Sequence, residues 1–380
     1  MSTKWDNKKK PVVIVGAGGA GSALARSLSQ TLDRTKYELV LINPRPLHVV
    51  LPTTVRMLVT TADNLDKTAL IPYDKLFVNE NGTFKLGKVQ SVSSEGAEGG
   101  EVVLESGEHV PYYILVLASG SHWPGPTTYP DTTEGVKEHV DSWRQDVKNA
   151  QNIVLIGGGA VGVETAGEIK TEFPDKKVTL IHGPDNLVND TYTLKYRQTL
   201  ERRVIKQGIE LLLGEYVDDI PARTGPEVKT RSGKTVPADL VFVHTGPRPN
   251  TEFIKTSDSL GPDALTTSGF VKVKPTLQLA EHTNIFAAGD IIDWKEQKQV
   301  FKAAKHATVI ANNILKLLGG QPLKPYQGAD EILCCTVGRN GGVAHMPMFG
   351  GLILGDWAVK AIKAKGLFVG PTRKGMGYTS

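Results

Sequence analysis

Apolar and polar positions along the chain fall into a repeating order. Residues 12–15 (VVIV) are apolar without a polar break, the pattern of a strand buried on both faces. A glycine-rich turn follows over 16–21. Leu24 and Leu28 then recur four apart, which predicts a helix over 22–31, and residues 37–42 (YELVLI) are a second apolar run. Strand, turn, helix and strand on this scale make a βαβ unit and predict a parallel sheet. The order returns at Asn152. Residues 153–156 are apolar, 157–162 glycine-rich, 163–170 helical in spacing and 178–182 apolar again.

The stretches between are patterned differently. Residues 84–110 alternate in short strands around the loop SSEGAEGGE, which predicts an antiparallel layer. Residues 112–120 (YYILVLASG) read as a buried strand ending at Gly, and HWPGPTTYP reads as a linker. After the second unit come a helix over 200–208, an antiparallel patch over 227–236 and a strand over 240–246 (LVFVHTG). Residues 284–290 (NIFAAGD) are a strand closing on Gly-Asp, 300–318 a long helix, and 326–357 strand-rich with turns at GRNGG and FGG. The sequence βαβ, antiparallel patch, strand ending in Gly thus occurs twice, a duplication of architecture. The expected fold class is α/β, with two Rossmann-like dinucleotide-binding domains and a C-terminal strand-rich segment.

Each glycine turn matches G-x-G-x-x-G, at Gly16, Gly18 and Gly21 and at Gly157, Gly159 and Gly162. The first Gly permits the tight turn, the second admits a pyrophosphate, and the third lets helix and strand pack closely. The helix N-terminus then presents free N–H groups to the phosphate. A carboxylate usually ends the second strand and binds the adenosine ribose. Here those positions are Asn43 and His182. His182 removes the negative charge that would repel a 2′-phosphate, so the site tolerates NADPH beside NADH. Two dinucleotide sites imply two dinucleotides: a held flavin, FAD, and a visiting nicotinamide.

Composition narrows the chemistry. With 380 residues, 40% hydrophobic and 22% charged, the chain is of ordinary globular make-up and long enough for two or three domains. A net charge of +4 without a long basic cluster argues against nucleic-acid binding. The two cysteines are adjacent, Cys334 and Cys335, in the run ILCCTV. They exclude a disulfide framework and a zinc site built on paired cysteines, and no CxxC pair exists for a thiol relay beside the flavin. Strand alternation makes them core packing. No metal site is expected. No run reaches the roughly 18 apolar residues that span a bilayer. The start, MSTKWDNKKK, has neither an apolar signal core nor Gly at position 2, so neither secretion nor N-myristoylation is expected.

Several motifs carry a family resemblance. YYILVLASG resembles the strand-to-ATG motif of two-dinucleotide flavoproteins, with Ser119 for Thr. NIFAAGD resembles their second FAD motif, with Asp290 at the ribityl position. IVLIGGGAVGVETAGEIKTEFPDKKVTLIHG, with GIELLLGE, VGRNGGV and GLFV, resembles the ferroptosis suppressor protein family, also called apoptosis-inducing-factor-like mitochondrion-associated proteins. The resemblance runs over residues 12–374. It implies an FAD-dependent NAD(P)H:quinone oxidoreductase that reduces ubiquinone or vitamin K at membranes, related in fold to type II NADH dehydrogenases. It implies an FAD-binding domain of residues 1–122 and 270–322, an NAD(P)H-binding domain of 123–269, and a quinone- or membrane-facing segment of 323–380.

By position, the resemblance places Glu164 beside the nicotinamide, Lys298–Ala303 beneath the flavin ring, and Lys363 and Phe368 near the quinone entrance. The candidate catalytic residues are therefore Glu164, Lys298, Lys363 and Phe368. Candidate FAD contacts are Gly16, Gly18, Gly19, Ala20, Gly21, Asn43, Arg45, Arg56, Val89, Ala118, Ser119, Gly120, Gly289, Asp290, Gln299, Val300 and Ala303. Candidate nicotinamide contacts are Gly157, Gly159, Ala160, Val161, Gly162, Glu164, His182 and Gly246. His306 reads as a packed helix histidine. In the expected reaction hydride passes from NAD(P)H to the flavin, and a quinone on the other side is reduced to the hydroquinone. In the tail, Trp357, Val359, Ile362, Leu367 and Phe368 are interleaved with Lys360, Lys363, Lys365, Arg373 and Lys374. Such a stripe either lies on an anionic membrane or packs on the sheet with a basic solvated face. The expected location is cytoplasmic or mitochondrion-associated at a membrane periphery, as a monomer or homodimer. Two rival readings stand: a reductase of a ferredoxin-like protein, and a redox-sensing binding protein.

Overall fold

The computed structural model describes residues 4–6, 8–261 and 263–379. The N-terminal residues on which the signal and lipidation readings fall lie partly outside them. The chain opens with β1 (Lys10–Val15), α1 (Gly19–Thr31), β2 (Tyr37–Asn43) and β3 (Thr83–Leu86). Next come β4 (Val89–Ser94), β5 (Gly100–Leu104), β6 (His109–Tyr112) and β7 (Ile114–Leu117). Strands β1, β2, β3 and β7 lie parallel in one sheet, while β4, β5 and β6 form a separate antiparallel layer. The expected antiparallel layer over 84–110 is thus corrected at its start: residues 83–86 add a parallel edge beside β2. No glycine or proline breaks TFKL, and its backbone finds a partner in β2 before the chain turns away.

Helix α2 (Thr133–Asn149) follows the proline-rich linker, and its Thr132 side chain caps the Gly135 N–H at 3.0 Å. The second βαβ unit is β8 (Asn152–Ile156), α3 (Ala160–Glu172) and β9 (Lys177–His182). Helix α4 (Leu194–Lys206), capped by Thr193, begins earlier than the glycine-bounded span 200–208 suggests. Strands β10 (Glu210–Leu213) and β11 (Leu240–Val243) complete a parallel sheet ordered β10–β9–β8–β11. The patch expected over 227–236 is a short antiparallel hairpin.

Strand β12 (Ile285–Ala287) then returns to the first sheet, ordered β12–β7–β1–β2–β3. Helix α5 (Val300–Leu318) packs on α1. The C-terminal segment is an antiparallel sheet of β13 (Leu333–Thr336), β14 (Gly342–Met346) and β15 (Leu352–Leu354), helical turns over 356–364 and α6 (Val369–Gly375). Where the chain passes between the two large sheets, its outgoing and returning paths pair: Ser121 lies opposite Pro249 and His122 opposite Arg248. All residues of β7 and 12–14 of β1 are fully shielded from solvent, as their unbroken apolar runs require. Among the described residues, no helix is long and apolar enough to cross a membrane.

Candidate functional site

The two glycine turns are built alike. Gly16 and Gly157 have positive φ, +96° and +114°, and a Cβ on either would overlap a backbone carbonyl of the neighbouring strand, Ala118 or His244. A Cβ on Gly21 or Gly162 would overlap the carbonyl of Gly16 or Gly157, where the helix presses on the turn. The middle glycines differ. Gly18 and Gly159 are extended, cap the helices without a side-chain bond, and have open space where a Cβ would lie. Open space beside an uncapped helix N-terminus fits a pyrophosphate at each turn.

The residues ending β2 and β9 also act alike. Asn43 Oδ1 accepts from the Ala17 N–H at 3.0 Å, and His182 Nδ1 accepts from the Gly158 N–H at 3.0 Å. Each ties its strand end to the adjacent turn. Burial keeps His182 below the ordinary imidazole value, so it is neutral, and its Nε2 is buried without a protein partner. Asn43 Nδ2 donates to the Arg45 carbonyl at 2.8 Å. Neither site carries a carboxylate at the strand end.

The FAD candidates converge in part. Gly289 (φ +77°) stands close to Ala20, and Val300 lies beside Gly19, so the N-termini of α1 and α5 meet the Gly289–Asp290 turn. Asp290 accepts from the Ser121 hydroxyl at 2.9 Å, and burial raises its pKa. Ser119, in the ATG-like motif, donates to the Asn250 carbonyl at 2.6 Å, lacing Ala118, Ser119 and Gly120 to the returning path beyond Gly246. Gln299 caps α5 and donates to Tyr192 Oη and the Ile332 carbonyl, while its Oε1 is buried without a protein partner. Val300 is exposed and Ala303 buried. Val89 begins β4, just past Gly87, whose N–H donates to the Asn43 carbonyl.

Two cations expected at the FAD site are engaged by protein acceptors. Arg56 is 1% exposed, and its guanidinium grips Glu168 of α3 at 2.9 and 2.8 Å, with Asp63 and the Ala364 carbonyl as further partners. Burial opposes its charge, but Glu168 and Asp63 outweigh burial and hold it charged. Four of the five N–H donors of this fork are spent on these partners. Arg45 donates to the carbonyls of Pro130 and Tyr129, at 2.7 and 2.8 Å. A sequence pattern places such cations near a motif but does not reveal which buried acceptors will claim them.

At the second glycine turn, the candidate nicotinamide site, Glu164 lies one turn into α3, past Ala160 and Val161. It is 3% exposed and accepts from the Thr336 N–H at 2.9 Å and from Lys363 Nζ at 2.5 Å. Burial pulls Lys363 down, but the charge and hydrogen bond of Glu164 outweigh it and raise its pKa. Two candidate catalytic residues, 199 positions apart, therefore form one buried ion pair. Lys298 instead donates to the Ile292 and Trp294 carbonyls at 2.8 and 3.3 Å, and burial lowers its pKa. It lines a cleft of about 480 Å³ with Phe270, Trp294, Glu296 and Glu331. Phe368 sits in a left-handed turn (φ +63°), 37% exposed.

The tail corrects the expected stripe. Val359 and Leu367 are fully buried, whereas Trp357, Ile362 and Phe368 face outward. The alternation expected for the cysteines holds unevenly: Cys335 is buried and Cys334 half-buried, and burial pushes the Cys334 thiol up to about 11. The sequence reading missed His244, at the end of β11 beneath Gly157. Burial lowers it to about 4, and both ring nitrogens lack protein partners. It also missed Glu168 and Arg339, whose only sequence signal is the spacing of Glu164, Glu168 and Glu172 along one helix face.

The sequence pattern of pyridine nucleotide-disulphide oxidoreductases matches residues 10–310. The chain is 41% identical to FAD-dependent oxidoreductase FVFD30 of Flammulina velutipes over 325 residues, 84% of this chain and 99% of that protein. It is 32% identical to Ferroptosis suppressor protein 1 of Homo sapiens over 375 residues, 96% of this chain and 95% of that protein. Its fold is similar to the sulfide:quinone oxidoreductase of Aquifex aeolicus, with a TM-score of 0.74 at 19% identity, covering 96% of this chain and 92% of the other. It is also similar to the ferredoxin reductase for the CYP199A2 system of Rhodopseudomonas palustris, with a TM-score of 0.65 at 22% identity, covering 88% of each.

Proposed function

The chain belongs to the pyridine nucleotide-disulphide oxidoreductase family, and on that premise we propose that it is an NAD(P)H:quinone oxidoreductase acting on a lipid quinone of the ubiquinone or vitamin K type. The relatives support an FAD oxidoreductase that uses a nicotinamide nucleotide. The observation that carries the quinone reading is the Glu164–Lys363 pair. It ties the nicotinamide-side helix α3 to a C-terminal segment that bears exposed Trp357, Ile362 and Phe368. An apolar, basic-flanked segment one ion pair from the redox site suits an acceptor drawn from a lipid phase.

In this reading, Gly18, Asn43 and Asp290 would hold FAD at the first turn, and Gly159 and His182 would hold NADH or NADPH at the second. Bound flavin would supply the hydride acceptor and electron donor. The chain's own residues orient the two nucleotides and exclude water. Glu164 and Lys363 hold the nicotinamide-side wall closed. A lone thiol pair without CxxC spacing, with Cys335 buried, offers no disulfide relay. The partner is then a lipid quinone met at a membrane periphery, cytoplasmic or mitochondrial, by a monomer or homodimer without nucleic acid.

The test is anaerobic stopped-flow absorbance of the flavin-loaded protein, with NADH added first and a short-chain ubiquinone second. Fast bleaching followed by fast recovery is expected. Bleaching without recovery would overturn the quinone and favour a protein acceptor or a redox sensor. No bleaching would overturn the nicotinamide assignment of the second turn.

A further inference from the structure

His306, on α5, takes no part in the contacts assigned above. It is 1% exposed. The Gly289 N–H donates to its Nδ1 at 3.1 Å. A backbone N–H can only donate, so Nδ1 carries the lone pair and the proton of the neutral ring sits on Nε2. Nε2 donates to Glu296 Oε1 at 2.8 Å, and the Tyr326 hydroxyl donates to Glu296 Oε2 at 2.9 Å. The Tyr326 ring meets His306 edge-on, with centroids 4.6 Å apart and planes at 89°. The hydrogen bonds of this buried chain converge on Glu296, and with the Gly289 N–H as donor only one His306 tautomer satisfies them.

The held group is the functional one. Gly289 adopts φ +77° against the N-terminus of α1, and the next residue is Asp290. The direction of the Asp290 carboxylate follows from the backbone of this turn, and the turn is fixed from behind by His306.

We propose that His306 is a positioning residue for bound FAD, acting through Gly289, and that only its neutral form protonated at Nε2 holds the Gly289–Asp290 turn. This rests on the assignment of the first glycine turn and Asp290 to FAD. A protonated ring would set an Nδ1–H against the Gly289 N–H, two donors face to face, and one must give way. The ionisable groups facing the ring are Glu296, Lys298, Lys302 and Tyr326. Burial is the largest influence and lowers the imidazole, Glu296 opposes it, and the two lysines add to the lowering. The folded value thus lies below the ordinary 6.5. The hold is complete above that pH and is lost as pH falls through the depressed value.

The experiment follows flavin release by the fluorescence of freed FAD, from pH 7.5 to 4.5, in the holoprotein and in His306→Gln and His306→Leu. A Gln side-chain carbonyl can accept from Gly289 without titrating, whereas Leu leaves that N–H unpaired. The wild type is expected to release FAD in an acid step below pH 6.5. His306→Gln should bind FAD at pH 7.5 within about threefold of wild type and lack the acid step. His306→Leu should bind it about tenfold or more weakly at pH 7.5. The same acid step in His306→Gln, or wild-type affinity in His306→Leu, would overturn the proposal. A folded wild-type chain that takes up no FAD would overturn the FAD assignment itself and the proposal with it.

Discussion

Glu164, Glu168 and Glu172 recur every four residues, so their side chains stack on one face of α3. Three like charges in a row repel, and each is met by a cation from a distant segment. Lys363 takes Glu164, Arg56 takes Glu168, and Arg339 reaches Glu172 at 2.7 Å while standing 3.9 Å from Glu168. Removing one partner of a buried pair leaves an unpaired charge that costs about 3–5 kcal/mol. Arg56→Met is therefore expected to lower unfolding stability by about 3 kcal/mol or more in denaturant titrations, and an unchanged midpoint would refute the clamp. Glu164→Gln keeps the shape but removes the charge that answers Lys363. Its NADH-dependent flavin bleaching should slow about tenfold or more in rapid mixing. The cysteines give a different expectation. With Cys335 enclosed and the Cys334 thiol raised to about 11, iodoacetamide at pH 7.5 should leave both unmodified and turnover intact. Rapid loss of activity on alkylation would reopen a thiol mechanism.

At the scale of elements, the glycine turns separate two kinds of constraint. Gly157 is required by its own backbone and by a neighbouring carbonyl, whereas Gly159 is required only by what approaches it from outside. Gly157→Ala should therefore damage folding itself. Gly159→Ala should fold with wild-type stability yet weaken NADH binding, by about tenfold or more, because the methyl occupies the phosphate path. Calorimetry of both variants checks the contrast, and equal NADH affinity in Gly159→Ala would sink the assignment. Both turns, their flanking strands and helix α5 were legible because buried parallel strands are unbroken apolar runs and the turns demand Gly. Less was legible where tertiary partners decide. Residues 84–86 read as the start of an antiparallel layer yet pair parallel with β2, and Arg56 is expected among the FAD contacts yet is claimed by a carboxylate 112 positions on. Helix α2 hides behind a proline-rich stretch, with only Val136, Val140, Trp143 and Val147 marking its buried face.

For the whole molecule, the question is which surface meets the acceptor. Deleting the tail would confuse the answer, since Val359 and Leu367 are core residues and Lys363 pairs with Glu164. Replacing only two outward residues, Trp357→Ser and Ile362→Ser together, leaves that packing in place. The double variant should keep its turnover of a water-soluble quinone and lose co-sedimentation with anionic vesicles. Undiminished co-sedimentation would remove the tail as the membrane contact.

The discontinuous first sheet also bears on how the chain is made. Strand β7 is complete at residue 117, but its outer edge pairs with β12, which ends at residue 287. The flank of α1 likewise waits for α5. A ribosome adds about 5–20 residues per second, so a fully apolar strand edge stays unpaired for on the order of ten to thirty seconds while the whole second sheet emerges. Nascent chains of this protein therefore carry that unpaired apolar edge through the long middle of their own synthesis.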